Sequence, residues 1–207
     1  MASLLNFLYR LIRLLKGKFY KIYSKNYAYF LMKINKVNIG IQFHSKGIPK
    51  LFIHHTAKIN IGDYFSMNNT ILSNPIGRNH RCLFAIRDDS KLTIGNHVGM
   101  SGTTLVCTKE IEIGDYVKVG GNVCIYDTDF HSLNSSERTA SLSDKKGTIS
   151  KKVSIGNHVF IGAHSTILKG VAIGENSIVG SCSLVAKNIP ANEIWAGNPA
   201  KFLKKIV

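Results

Sequence analysis

The first sixty-two residues contain no carboxylate; the first acidic side chain is Asp63. The chain has 207 residues but only 4 prolines, 4 cysteines and 1 tryptophan, and charged residues make up 19%. So few prolines and an apolar share of 44% exclude a collagen-like or wholly disordered chain. The cysteines, Cys82, Cys107, Cys124 and Cys182, show no C-x-x-C pair, which speaks for free thiols in a reducing compartment rather than a disulfide or zinc framework. No long apolar run is present. The nearest, Leu4 to Leu15, is broken by Arg10 and Arg13, has no basic lead and ends in no small-residue cleavage site. It reads as neither a membrane span nor a signal peptide, so a cytoplasmic location is expected.

What is abundant is positive charge. The net charge is +15, and residues 1–60 hold eleven Lys and Arg. The rest of the chain has 16 basic against 12 acidic residues, or +4. The excess points to an anionic partner and is mostly N-terminal. There, Leu4, Leu8, Leu11, Ile12, Leu15 and Phe19 recur at helical spacing among Arg10, Arg13, Lys16, Lys18, Lys21 and Lys25. Residues 1–36 thus read as a basic amphipathic helical segment. It could pack on its own domain or a neighbouring subunit, or bring residues 1–25 against an anionic membrane. No nucleic-acid module accompanies the charge, and no nucleic acid is expected as partner.

The rest of the chain is governed by a repeat. Ile155, Ile161, Ile167, Ile173, Val179 and Val185 are six positions apart, and Gly156, Gly162, Gly174 and Gly180 follow four of them. The pattern recurs upstream from Ile61-Gly62, Ile94-Gly95 and Ile113-Gly114. Six is neither a helical period nor a simple strand alternation. It fits a short strand and a turn, three of which make a triangular coil of eighteen residues stacked on the next. Ile155 to Ile173 is one such coil, and Ile94 to Ile113 is a coil with one extra residue. Ile113 to Ile155 is 42, so about 24 residues leave the coil. The expected organisation is a β-solenoid over 37–190, irregular at 73–90, with an excursion loop at about 127–152 and a C-terminal tail over 191–207.

A long polar excursion from a regular solenoid is where chemistry is sought. His131 stands at its start, in Asp127-Thr128-Asp129-Phe130-His131. A histidine is suited to general-base work, and Asp129 or Asp127 is the expected carboxylate to orient it. His80, in the irregular stretch, could line a cleft.

The hexapeptide pattern resembles the left-handed parallel β-helix acyltransferases. Leu92 to Lys205 is similar to the maltose/galactoside O-acetyltransferase branch, closest to acetyltransferases of polysaccharide biosynthesis. The carrying motifs are Asp127–His131, Ile155-Gly156-Asn157-His158-Val159-Phe160-Ile161-Gly162-Ala163 and Gly197-Asn198-Pro199-Ala200-Lys201. The resemblance implies a mainly β, left-handed fold, with the hand taken from the family. It also implies a homotrimer with active sites between subunits, acetyl-CoA as co-substrate, no metal, and a saccharide acceptor. His131 matches the base. Phe160, Gly162, Ala163, Ser181, Ala186, Lys187 and Lys201 match cofactor positions, and Ser101, with Asn122 and His80, falls on the acceptor side. Phe160 stands where the family often has Trp, and Ser101 replaces an asparagine of the sugar acetyltransferases. The expected reaction is O-acetylation of a sugar hydroxyl in a glycan or lipid-linked precursor. N-acetylation of an amino sugar, a trimeric β-helix zinc enzyme using three of the histidines, and a non-catalytic scaffold are the alternatives.

Overall fold

A computed structural model describes residues 2–71, 73–76 and 81–206. One helix, Ala2–Ile34, precedes a solenoid of short parallel strands. The strands stack into three flat faces. The first holds Asn38–Ile39, Lys58–Ile61, Lys91–Ile94, Glu110–Ile113, Val153–Ile155 and Ala172–Ile173. The second holds His44–Lys46, Ser66–Asn68, Gly99–Ser101, Lys118–Val119, Phe160–Ile161 and Ile178–Val179. The third holds Lys50–Ile53, Leu83–Ile86, Thr104–Cys107, Cys124–Tyr126, Thr166–Ile167 and Leu184–Val185.

The register is that of the repeat. Ile61 lies beside Ile94, Ile94 beside Ile113, Ile113 beside Ile155, and Ile155 beside Ile173. Each strand points alternate side chains inward, so equivalent aliphatics from successive coils form one continuous buried column. The chain is a three-faced parallel β-helix with an N-terminal helix.

The edge between the first and second faces is built from four related triplets: Gly62-Asp63-Tyr64, Gly95-Asn96-His97, Gly114-Asp115-Tyr116 and Gly156-Asn157-His158. The middle residues form a ladder in which each side-chain oxygen accepts from the coil before it. Asn96 accepts from the Asp63 N–H at 2.8 Å, Asp115 from the Asn96 N–H at 2.6 Å, and Asn157 from the Asp115 N–H at 2.8 Å. The third residues all have φ between 57° and 60°. Their rings stack, with centroids 4.5 Å, 4.6 Å and 4.9 Å apart and planes within 6°. This is why the repeat reads I-G-(N/D)-(H/Y): the short polar side chain replaces a lost turn hydrogen bond, and the aromatic covers the turn.

Two expectations are corrected. The stretch 73–90 is not irregular throughout: Leu83–Ile86 is a strand that turns Phe84 and Ile86 into the core between Lys50–Ile53 and Thr104–Cys107. Nor are residues 191–207 a loose tail. Glu193–Ala196 continues the second face in parallel with Ile178–Val179, and Lys201–Lys205 returns antiparallel along it.

Candidate active site

The excursion leaves at the edge between the third and first faces. Its root is fixed by Asp127, which is fully buried. One carboxylate oxygen accepts from the Thr108 N–H and hydroxyl, both at 2.8 Å; the other accepts from the Lys109 and Glu110 N–H groups at 2.7 Å and 2.8 Å. Thr128 then pairs with Ser150 as an antiparallel bridge, and the Lys151 N–H donates to the Asp127 carbonyl at 2.8 Å. The loop is therefore held at a narrow neck, with two short helices, Ser135–Arg138 and Ser141–Gly147, beyond it. Asn134 caps the first of these through the Ser136 N–H.

His131 follows Phe130, whose φ of 66° is rare for a large side chain and turns the backbone sharply outward. Its imidazole is 69% exposed. Nδ1 lies 2.7 Å from Oδ2 of Asp144, on the second short helix, and the other Asp144 oxygen accepts from the Ser132 N–H at 2.7 Å. The hydrogen bond from His131, then that from Ser132, holds the Asp144 carboxyl below the usual carboxylate range. An ionised carboxylate only accepts, so Nδ1 carries the hydrogen, and in the neutral ring the lone pair is on Nε2. That is the tautomer a general base needs.

The carboxylate beside His131 is neither of those expected. Asp127 spends both oxygens on backbone donors. Asp129 pairs with Lys169 at 3.1 Å, and its second oxygen is buried without a partner. Both assignments as orienting groups are corrected: these aspartates hold the neck and flank of the excursion, and Asp144 takes the orienting place. Asp144, thirteen residues downstream, carried no local signal. An open cavity beneath the excursion is lined by Arg87, Thr108, Thr128, Phe130, Asp144 and Ser150.

The other expected residues fall into two groups. Ser101, Asn122, Gly162, Ala163 and Ser181 share the edge between the second and third faces. Ser101 and Asn122 line one small pocket with Asn68 and Asn74; the Asn68 amide donates to the Ser101 hydroxyl at 3.0 Å, and Asn122 meets Nδ1 of His164 at 3.1 Å. At buried Gly162 a Cβ would collide with the Ser181 N–H of the next coil, so only glycine lets the coils stack closely here, and Ala163 and Ser181 keep the side chains beside it small. Phe160 lies just before it, exposed on the second face. Ala186, Lys187 and Lys201 line a second cavity together with Trp195, Pro199 and Phe202, the two aromatic rings meeting edge-on at 6.4 Å. Sequence reading had missed Trp195 and Phe202. His80 lies outside the described residues. Among the described residues no group of three or more His, Cys, Asp or Glu could hold a metal ion. His97 is sandwiched between Tyr64 and Tyr116.

Residues 152–187 match the model of the bacterial transferase hexapeptide, with its six repeats. This match spans about a sixth of the chain and lies on the last regular coils of the β-helix. Among solved structures, the chain is similar to a hexapeptide-repeat containing acetyltransferase from Vibrio cholerae complexed with acetyl-CoA. The identity is 31% over 56% of this chain and 61% of the other, with a TM-score of 0.51. The chain thus spans about three fifths of that relative. It is also similar to a galactoside acetyltransferase in complex with coenzyme A, at 26% identity over 82% of this chain and 65% of that one, with a TM-score of 0.54. AntD, an N-acyltransferase from Bacillus cereus, shares the fold at 21% identity, covering 86% and 88% of the two chains with a TM-score of 0.67. No curated protein matches the sequence.

Proposed function

We propose that the chain is an acetyl-CoA-dependent O-acetyltransferase that modifies a sugar hydroxyl. The observation that carries this reading is the His131–Asp144 pair on a hexapeptide β-helix: a base with Nδ1 anchored and Nε2 free. His131 takes the proton of the acceptor hydroxyl as its oxygen attacks the thioester carbonyl, and returns it to the departing thiolate of coenzyme A. Direct transfer leaves no covalent enzyme intermediate.

The small side chains of Ala163 and Ser181 suit a narrow pantetheine arm running close to backbone. The cavity of Lys187, Lys201, Trp195 and Phe202 combines ammonium groups with aromatic rings, which suits a phosphorylated adenine nucleotide. Acetyl-CoA complexes of the similar Vibrio enzyme support this choice of donor. Ser101 and Asn122 supply hydrogen-bonding groups to a hydroxylated acceptor.

His131 stands on one edge of the β-helix, whereas Ser101, Asn122, Gly162, Ala163 and Ser181 stand on another. Two edges of one solenoid do not face each other. A complete site therefore forms where the His131 edge of one copy meets the Ala163 and Ser181 edge of the next, and a closed ring of three does this with one kind of interface. We assign the enzyme to the cytoplasm as a homotrimer, acting on precursors of a surface polysaccharide.

The test is coenzyme A release from acetyl-CoA with a panel of neutral sugars, amino sugars and lipid-linked saccharides. Release stimulated by a hydroxyl acceptor supports the reading. Stimulation by amino sugars alone makes the enzyme an N-acetyltransferase, which the same base would serve. No acceptor-dependent release and no acetyl-CoA binding would contradict the reading.

A further inference from the structure

Every residue from Leu4 to Tyr23 is exposed, and the first buried side chain of the helix is Ser24. Apolar groups are 62% exposed at Leu4, 58% at Leu15 and 73% at Phe19. Near Gly17 a Cβ would meet nothing within 4 Å. About twenty residues of helix therefore project from the β-helix without covering.

Most apolar side chains of this rod lie on one side, with Leu5, Phe7 and Leu14 outside it. At 3.6 residues per turn each residue advances about 100°. Leu4, Leu8, Leu11, Ile12, Leu15, Phe19 and Ile22 then fall within an arc of about 100°. Lys16 borders this arc on one side and Lys18 and Lys25 on the other; Arg10, Arg13 and Lys21 lie across from it. The side chains that seat the helix on the solenoid are Ser24, Ala28 and Met32. They share the azimuth of Arg10 and Lys21, so the apolar arc points away from the protein's own body. The Ser24 hydroxyl accepts from the Gly47 N–H at 3.1 Å, which locks this azimuth. Packing of the arc on its own β-helix, one expectation from the sequence, is not what the fold adopts.

We infer that this arc is an in-plane docking surface for an anionic lipid bilayer. The occupant is chosen by charge. Residues 4–25 carry six Lys and Arg and no carboxylate. A second copy of the helix would bring the same sign of charge and no counter-charge. An anionic bilayer supplies both an apolar interior for the leucines and phosphate groups for the flanking lysines, whose stems reach outward to the headgroup level. No helix among the described residues is long and apolar enough to cross a membrane, so the helix lies on the surface. The inference stands apart from the proposed acyl transfer and is tested without it.

The full chain is to be sedimented with vesicles of phosphatidylcholine containing phosphatidylglycerol, and with pure phosphatidylcholine vesicles. Binding should be at least about tenfold stronger to the anionic vesicles and should weaken steeply as salt is raised. Leu8→Glu with Leu15→Glu should abolish it. Lys16→Gln with Lys18→Gln should remove most of the anionic preference. Neither pair touches the solenoid, so the thermal transition of the β-helix should stay unchanged. Equal binding to both vesicle types, no binding to either, or wild-type binding by the leucine pair would overturn the inference. So would dissociation of the oligomer by the leucine pair without loss of vesicle binding, which would make the arc a subunit contact.

Discussion

Asp144 decides what His131 can do. With Nδ1–H donated to a carboxylate 2.7 Å away, the imidazole keeps one tautomer and one orientation, and the imidazolium formed during transfer is stabilised. Asp144→Asn keeps the shape but allows the opposite tautomer. It should lower kcat by roughly ten- to a thousandfold with little change in the KM for acetyl-CoA, read from steady-state coenzyme A release. The same pair makes the excursion acid-sensitive. The Asp144 carboxyl is held below its ordinary range, so its stabilising contribution is present above that range and is lost as pH falls through the lowered value. Proteolysis within 130–150 should accelerate in that acid window in the wild type and be already fast at neutral pH in Asp144→Ala. The thiols offer a separate check. Burial pushes Cys82 and Cys107 up to about 12, whereas Cys182 is exposed. Native protein should show Cys182 as its fastest-reacting thiol, and Cys82 and Cys107 should react only after denaturation.

The elements show what was legible in the sequence and why. A β-helix coil is specified by local spacing, so the six-residue pattern from Ile155 to Val185 reads directly as stacked strands. The glycines that follow Ile61, Ile94, Ile113 and Ile155 were legible as part of the repeat. The ring stack beside them was not, because stacking joins residues from successive coils. The pattern also failed at Leu83–Ile86. Phe84 lies 17 positions after Met67 instead of six, and an insertion of that length erases the register although the strand itself survives. Likewise, DTDFH pointed to the proposed base, while the carboxylate beside it comes from a helix whose path the linear sequence does not state. The corner ladder carries its own prediction. Replacing Tyr116 by Ala removes stacking against both His97 and His158 and should destabilise the protein by about 1–3 kcal/mol in chemical denaturation. Asp127→Ala strands three backbone N–H groups at the neck and should lower both the denaturation midpoint and kcat.

At the scale of the molecule, function is divided between edges. The proposed base and the proposed acceptor and donor groups lie on different edges of one solenoid, which gives assembly a catalytic purpose. Inactive His131→Ala and Ala163→Trp chains, mixed and reassembled, should regain activity, because some interfaces then combine an intact base with an intact Ala163 edge. The basic helix lies outside this arrangement and would set where the assembly works rather than what it does.

The central claim is that His131 is the base of an acetyl transfer. Its most direct test is the single-turnover rate of His131→Ala with saturating acetyl-CoA and an acceptor found active with the wild type. The account predicts a loss of at least about a hundredfold with acetyl-CoA binding retained. A rate within a few-fold of wild type would contradict it.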